Sequence, residues 1–273
     1  MRDRGTELRL PETVRQAVRE EWARVFHLPF DVLITVAVNA ALMSSLWFFL
    51  PPSLRDAMFT LHGSLAFAFV LSSWMYSDVP ATNLLGPDAL RVLAALDRPD
   101  VLRRILVAKN VVLWTLVAPV CVTISLVDAA TAQDPLVGLY SAVAIAVIPA
   151  GVLALSSWLG IRFPYHPMPV RVRLRHRAAW RTMLVRWGIL VLTPYGLVPA
   201  LTAALLVPSA LIWGFTSSSG LSGRLPDRDL GLGIGVACAV AVAATILGHR
   251  GSLRLIARRR DALAAYLADP LRG

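Results

Sequence analysis

Cysteine is nearly absent from this chain. Cys121 and Cys238 are the only two, and both lie inside long apolar runs. That excludes a disulfide framework and argues against a zinc site. Lysine is scarcer still: Lys109, within Val107-Ala108-Lys109-Asn110, is the only one. A nucleotide-binding P-loop needs Gly-x-x-x-x-Gly-Lys-Ser/Thr, because its backbone cradles phosphate and its lysine reaches the terminal phosphates. No such motif can be built here. The five histidines, His27, His62, His166, His176 and His249, are scattered without ligand spacing, and neither a serine elbow nor His-Glu-x-x-His occurs. The chain therefore reads as non-catalytic, with no metal or cofactor of its own. Carboxylates are missing from every apolar run, which argues against a proton relay through the spans.

What is abundant is apolar side chain. Hydrophobic residues make up 56% of the 273 residues, and the mean hydropathy is +0.62. Soluble domains hold roughly 45–50% apolar residues, so the excess calls for lipid. Uncharged stretches run 32–54, 57–77, 110–127, 135–161, 187–223 and 230–249. A crossing needs about 20 such residues. The reading is an all-α, polytopic membrane protein, one transmembrane domain over 1–273. Its spans fall near 32–52, 57–77, 110–128, 137–160, 187–210 and 230–249.

Basic residues set the orientation. Segment 1–31 carries six Arg, 78–109 five basic residues, 162–186 seven Arg and 250–273 six Arg. The alternate segments hold only Arg55, Arg224 and Arg228. Six crossings with both termini cytoplasmic account for that 24-to-3 division, and the inner membrane of a bacterium suits the arginine-rich composition. No cleavable signal peptide is visible, since the first apolar run begins only after Asp31. The stretch 187–223 would extend about 55 Å as one helix, too long for one crossing. Pro194, Pro199 and Pro208 precede Ser217-Ser218-Ser219-Gly220, so 211–229 is expected to form an outer re-entrant or loop segment, with a kinked, tilted helix as the alternative.

Residues 11–27 read as an amphipathic helix opened by Pro11, with Val14, Val18, Trp22 and Val25 on one stripe and Arg15, Arg19 and Glu20 away from it. Such a helix can lie on the membrane surface as an anchor or dock a partner. In loop 78–109, Ala89, Val92, Leu93 and Leu96 recur at helical spacing, and Pro99 starts a second helix carrying Val101, Leu102, Ile105 and Leu106. This predicts a helical elbow able to pass a push into two spans. The run Arg171-Val172-Arg173-Leu174-Arg175-His176-Arg177 beside a span is an orientation signal that can bind anionic lipid, not a nucleic-acid patch. Within the spans, Asn39, Ser44, Ser45 and His62 are the polar candidates. Asn39 and His62 are the nominal substrate-path residues, with helix packing or an interfacial position as their ordinary alternative.

The order Asn83-Leu84-Leu85-Gly86-Pro87-Asp88, a Leu-rich helix, Pro99 and Ala108-Lys109-Asn110 resembles the permease subunits of ATP-binding cassette (ABC) exporters of the type-2 family. Phe163-Pro164-Tyr165 is similar to that family's Phe-Pro motif. Where the family shows Gly-Asn late in the fourth span, this chain has Ser156-Ser157. The resemblance implies a subunit that pairs with a separate ATPase, which would hold ATP and Mg, and with a second permease subunit. It implies a coupling helix over 87–98, with Asp88, Arg91, Leu93, Leu96, Asp97 and Arg98 toward the ATPase. It also implies an interface helix over 11–27 carrying Arg15, Arg19 and Trp22. Outward transport of an apolar or amphipathic substrate (drug, lipid or polyketide-like) follows from the same likeness. The residues alone leave open an ion-driven secondary transporter, or a membrane enzyme or scaffold without an ATPase.

Overall fold

A computed structural model describes residues 10–27, 30–51, 53, 71–76, 83–131, 135–164, 166 and 227–269, together with 184–185, 188–189, 192–193, 195–198, 200–205 and 211. Among these residues every regular element is a helix. Four helices are long and apolar enough to cross a bilayer, within Val32–Phe49, Pro99–Thr131, Pro135–Arg162 and Arg228–Arg258, which makes the chain a membrane protein. They correspond to the first, third, fourth and sixth expected spans. The fifth is described in part, with residues 195–198 and 200–205 helical and apolar, while the second falls largely outside the described residues. So do His62, Tyr165, the arginine-rich run 171–177 and nearly all of 211–229, of which Asp227, Arg228 and Asp229 already belong to the last long helix.

The first helix, α1 (Val14–Val25), starts three residues later than expected, and Pro11 lies before it. Thr13 is the reason. Its hydroxyl accepts from the Gln16 backbone N–H at 3.1 Å, while the Gln16 side chain accepts from the Glu12 N–H at 3.1 Å. These reciprocal bonds satisfy free donors of the first turn in the manner of a capping box. Trp22 stacks on Phe26 at 5.6 Å where the helix ends. The chain then turns through Phe30, in the left-handed region at φ 57°, into α2 (Asp31–Phe49).

The elbow is a 3-10 turn at Gly86–Asp88 followed by α3 (Ala89–Ala95). Proline at residue 99 fits a first helical turn, and α4 runs from Pro99 to Thr131 without interruption. Its 33 residues extend about 50 Å, well beyond the roughly 30 Å hydrocarbon core. The helix starts at Pro99 as the sequence predicts, and the span expected from 110 is the apolar part of it. The apolar spacing of Leu102, Ile105 and Leu106 keeps the earlier turns buried against protein. Helices α5 (Pro135–Arg162) and α6 (Asp227–Arg258) likewise overrun their expected ends, and α7 (Arg260–Leu267) follows.

Two apolar cores result. The larger joins α2, α4, α5 and α6 with residues of 71–76 and 195–205, around Leu71, Val117, Ile145, Val152 and Ala237. Helices α5 and α6 approach closely where side chains are small: a Cβ added to Gly151 would stand 2.7 Å from the Ala241 carbonyl oxygen. One added to Gly248 would stand 2.8 Å from the Ala154 carbonyl carbon. Where lipid surrounds the helices, such close packing replaces the hydrophobic drive as the main attraction. The second core gathers Leu85 of the elbow, Val92 and Ala95 of α3, Leu102, Ile105 and Leu106 of α4, Ile161 of α5, Ile256 of α6, and Leu263, Tyr266 and Leu267 of α7. Leu253, Ile256, Leu263, Tyr266 and Leu267 thus pack residues 250–269 into the fold. Arg259 donates to the Ile161 and Arg162 carbonyls at 3.3 and 2.9 Å, closing the end of α5, and Arg260 pairs with Asp97.

At the opposite end of the bundle, Trp47 Nε1 donates to the buried Asp128 carboxylate at 2.9 Å. Trp47→Phe keeps most of the ring volume but removes this donor. It is expected to cost about 1–3 kcal/mol, the range for a buried polar group left short of a bond. The midpoint of thermal unfolding in detergent would report it; an unchanged midpoint would mean the bond contributes nothing.

Candidate functional site

The densest polar chemistry lies where α1, the elbow and the first turns of α4 meet. Glu20, Glu21 and Arg24 of α1 face the elbow and α4, beside the buried Ala17 and Val25, while Val14 is exposed and Val18 and Trp22 are half-buried.

Three carboxylates, Glu20, Glu21 and Asp88, meet three cations, Arg24, Arg91 and Lys109. Arg91 pairs with Glu20 and lies 3.6 Å from Asp88 and 3.9 Å from Glu21. Lys109 Nζ is 3.1 Å from Glu21 and 3.6 Å from Asp88. Arg24 pairs with Asp88 and with Glu21, the latter at 3.1 Å. The Arg91 and Lys109 side chains are only 4% and 8% exposed, and those of Glu21 and Asp88 only 14% and 15%. The cluster is thus formally neutral and largely withdrawn from water, where an unpaired charge would be costly. Burial on its own would push the Asp88 carboxyl up, but the nearby Lys109, Arg24 and Arg91 outweigh it and hold the group below its ordinary value. Directly after Lys109, a second polar group forms within the bundle: Asn110 Nδ2 lies 3.5 Å from Ser157 Oγ and 3.4 Å from His249 Nε2.

The structure divides the expected coupling residues into two sets. Asp88 and Arg91 point inward to the ion cluster, and Leu93 and Leu96 are half-buried against the second core. Asp97 and Arg98 are exposed, with Asp97 bound to Arg260 of α7. The outer face of α3 is instead made by Leu90, 69% exposed, and Ala94. Of the expected interface residues, Arg15 and Arg19 are exposed and Trp22 is half-buried in its stack on Phe26. Asn39 accepts from Trp74 Nε1 at 3.0 Å, and Trp74 in turn packs on Tyr195 at 5.0 Å, so this polar side chain ties helices together.

Glu21 and Arg24 were not anticipated from sequence. Their signal was partial: Glu21, seven residues after Val14 and three after Val18, lies at the edge of the apolar stripe with Arg24 and Glu20 next to it round α1, and the lone lysine follows the apolar turns of α4. Pairing them required the elbow to fold back over α1, which no local pattern encodes. Among the described residues no group of His, Cys, Asp or Glu could hold a metal ion. Comparison with protein-family models, curated proteins and solved structures finds no match.

Proposed function

We propose that this chain is the membrane-spanning subunit of an ATP-driven exporter, with the Gly86–Arg98 elbow as the part that receives force from a separate ATPase. The observation that supports this reading is the two-sided character of the elbow. Its inner face is tied through Asp88 and Arg91 to α1 and to Lys109 of α4. Its outer face leaves Leu90 uncovered. A partner pressing on that face would move a rigid unit continuous with a 33-residue membrane helix. The likeness of Asn83–Asp88 and Ala108–Asn110 to type-2 ABC permeases supports the same reading. On this reading the elbow, both termini and the basic segments lie in the cytoplasm of a bacterial cell, with six crossings in all, as the distribution of arginine suggests. A second permease subunit would complete the translocation path, and the substrate would be apolar or amphipathic.

The test is isolation of the tagged full chain from membranes of its native host, followed by assay of co-purifying ATP hydrolysis and of a Walker A-bearing subunit. The wild-type chain should carry both. Leu90→Asp, at an exposed position that the fold does not need, should reduce both about tenfold or more, as expected for loss of an apolar interface anchor. Leu93→Asp and Leu96→Asp are poorer probes, because both side chains support the second core. An isolated chain free of ATPase, or full association by Leu90→Asp, would sink the assignment. Transport that follows an ion gradient and survives ATP depletion would replace it with a secondary transporter.

A further inference from the structure

Between α4, α5 and α6 at the basic end of the bundle lies an open cavity of about 460 Å³, with Val14 of α1 at its edge. Its walls are amphipathic in a defined order. Arg103 and Arg250 line it at the end nearest the second core, each exposed and without an ion-pair or hydrogen-bond partner among the described residues. Val107, Val111, Trp114, Ala150 and Ile246 line the rest. A second, almost wholly apolar cavity of about 290 Å³ shares Trp114, Ala150 and Ile246 and continues past Ala146 and Val242 toward the membrane centre. From Arg103 to Trp114 the groove follows about 16 Å of α4. Ile246 and Val242, 50% and 52% exposed, leave it open sideways to lipid.

Between the cationic and apolar parts sits an unsatisfied acceptor. His249 Nδ1 lies 2.9 Å from the Thr245 carbonyl, so in the neutral ring Nδ1 carries the proton and Nε2 accepts. The Asn110 group facing Nε2 must then be its NH2. Its Oδ1, in a side chain buried to all but 7%, is left without a donor. Buried acceptors of this kind are normally paired.

We propose that this groove binds one anionic phospholipid, such as a phosphatidylglycerol, from the leaflet at the basic end. Its phosphate lies between the Arg103 and Arg250 guanidinium groups, which present planar donor forks suited to phosphate oxygens. One acyl chain follows the apolar groove past Trp114. Charge complementarity selects this occupant over a second copy of the chain, whose matching surface would bring the same unpaired arginines together. The site is independent of any ATPase.

Native mass spectrometry of the full-length protein in detergent, titrated separately with phosphatidylglycerol, phosphatidic acid and phosphatidylcholine, tests it. Phosphatidylglycerol and phosphatidic acid should each bind about tenfold or more tightly than phosphatidylcholine, given two arginines at the membrane surface. Arg103→Gln/Arg250→Gln should erase the preference over phosphatidylcholine. Arg254→Gln/Arg258→Gln, at exposed arginines on the same helix outside the cavity, should retain it. Ala150→Trp should block the chain groove and reduce binding of every lipid. Equal binding of phosphatidylglycerol and phosphatidylcholine, or equal loss in both double variants, would overturn the site. Dimer formation that excludes lipid from the groove would assign it to a second copy instead.

Discussion

Lys109→Met is expected to lower the stability of the full chain by about 3–5 kcal/mol, the range for removing one member of a buried ion pair. The methionine fills similar space, so the loss reports charge rather than volume. Without the lysine, Glu21 loses a partner at 3.1 Å and Asp88 one at 3.6 Å, and both carboxylates remain largely out of water. Adding Glu21→Gln to Lys109→Met should restore part of the loss. The two changes together should therefore cost at least about 1 kcal/mol less than the sum of each alone. Urea or thermal unfolding in detergent measures this double-mutant cycle, and strict additivity would show that Glu21 and Lys109 do not interact. Acid should act on the same cluster through Asp88. Its folded value lies below the ordinary 3.8. Its contribution is therefore fully present above about pH 4 and is lost as pH falls through the lower folded value. Asp88→Asn should flatten the pH dependence of stability in that acidic window.

The second large effect concerns α5 and α6. Gly248→Val and Gly151→Val each place side-chain carbon against backbone of the facing helix, where no rotamer change can relieve it. Each should cost about 3 kcal/mol or more, at the upper end of what overpacking does. Gly251→Ala makes a useful contrast. Its added Cβ would meet the Trp158 ring at 2.4 Å, but that ring is 45% exposed and can swing away. The movement sacrifices only the bond from Trp158 Nε1 to the Gly248 carbonyl at 3.2 Å. A smaller loss, about 1 kcal/mol, is expected there. If Gly251→Ala proved as damaging as Gly248→Val, the close approach of α5 to α6 would not be what holds this pair together.

The long apolar runs were legible because a hydrocarbon solvent imposes a single demand on every residue of a span. That demand is visible without knowing any neighbour. The elbow was legible for a related reason: Pro99 and the spacing of Val92, Leu93 and Leu96 are local signals of helix start and buried face. The packed end of the chain was less so. Leu263, Tyr266 and Leu267 have helical spacing, but spacing alone does not say that a buried surface waits for them at α3. Residue roles were hardest to read. Asp88 and Arg91 carry charge in a loop, which suggests an exposed contact, yet both turn inward once α1 lies beside them.

What the sequence determined alone is therefore the set of properties each residue has toward its solvent: apolar stretches that need lipid, basic segments that avoid crossing it, and prolines that open helices. The tertiary structure decided which charges face each other. Three acids and three bases drawn from positions 20 to 109 form one neutral cluster only after the elbow folds over α1. Pairing energies depend on distance and burial, and neither quantity exists until the chain has folded.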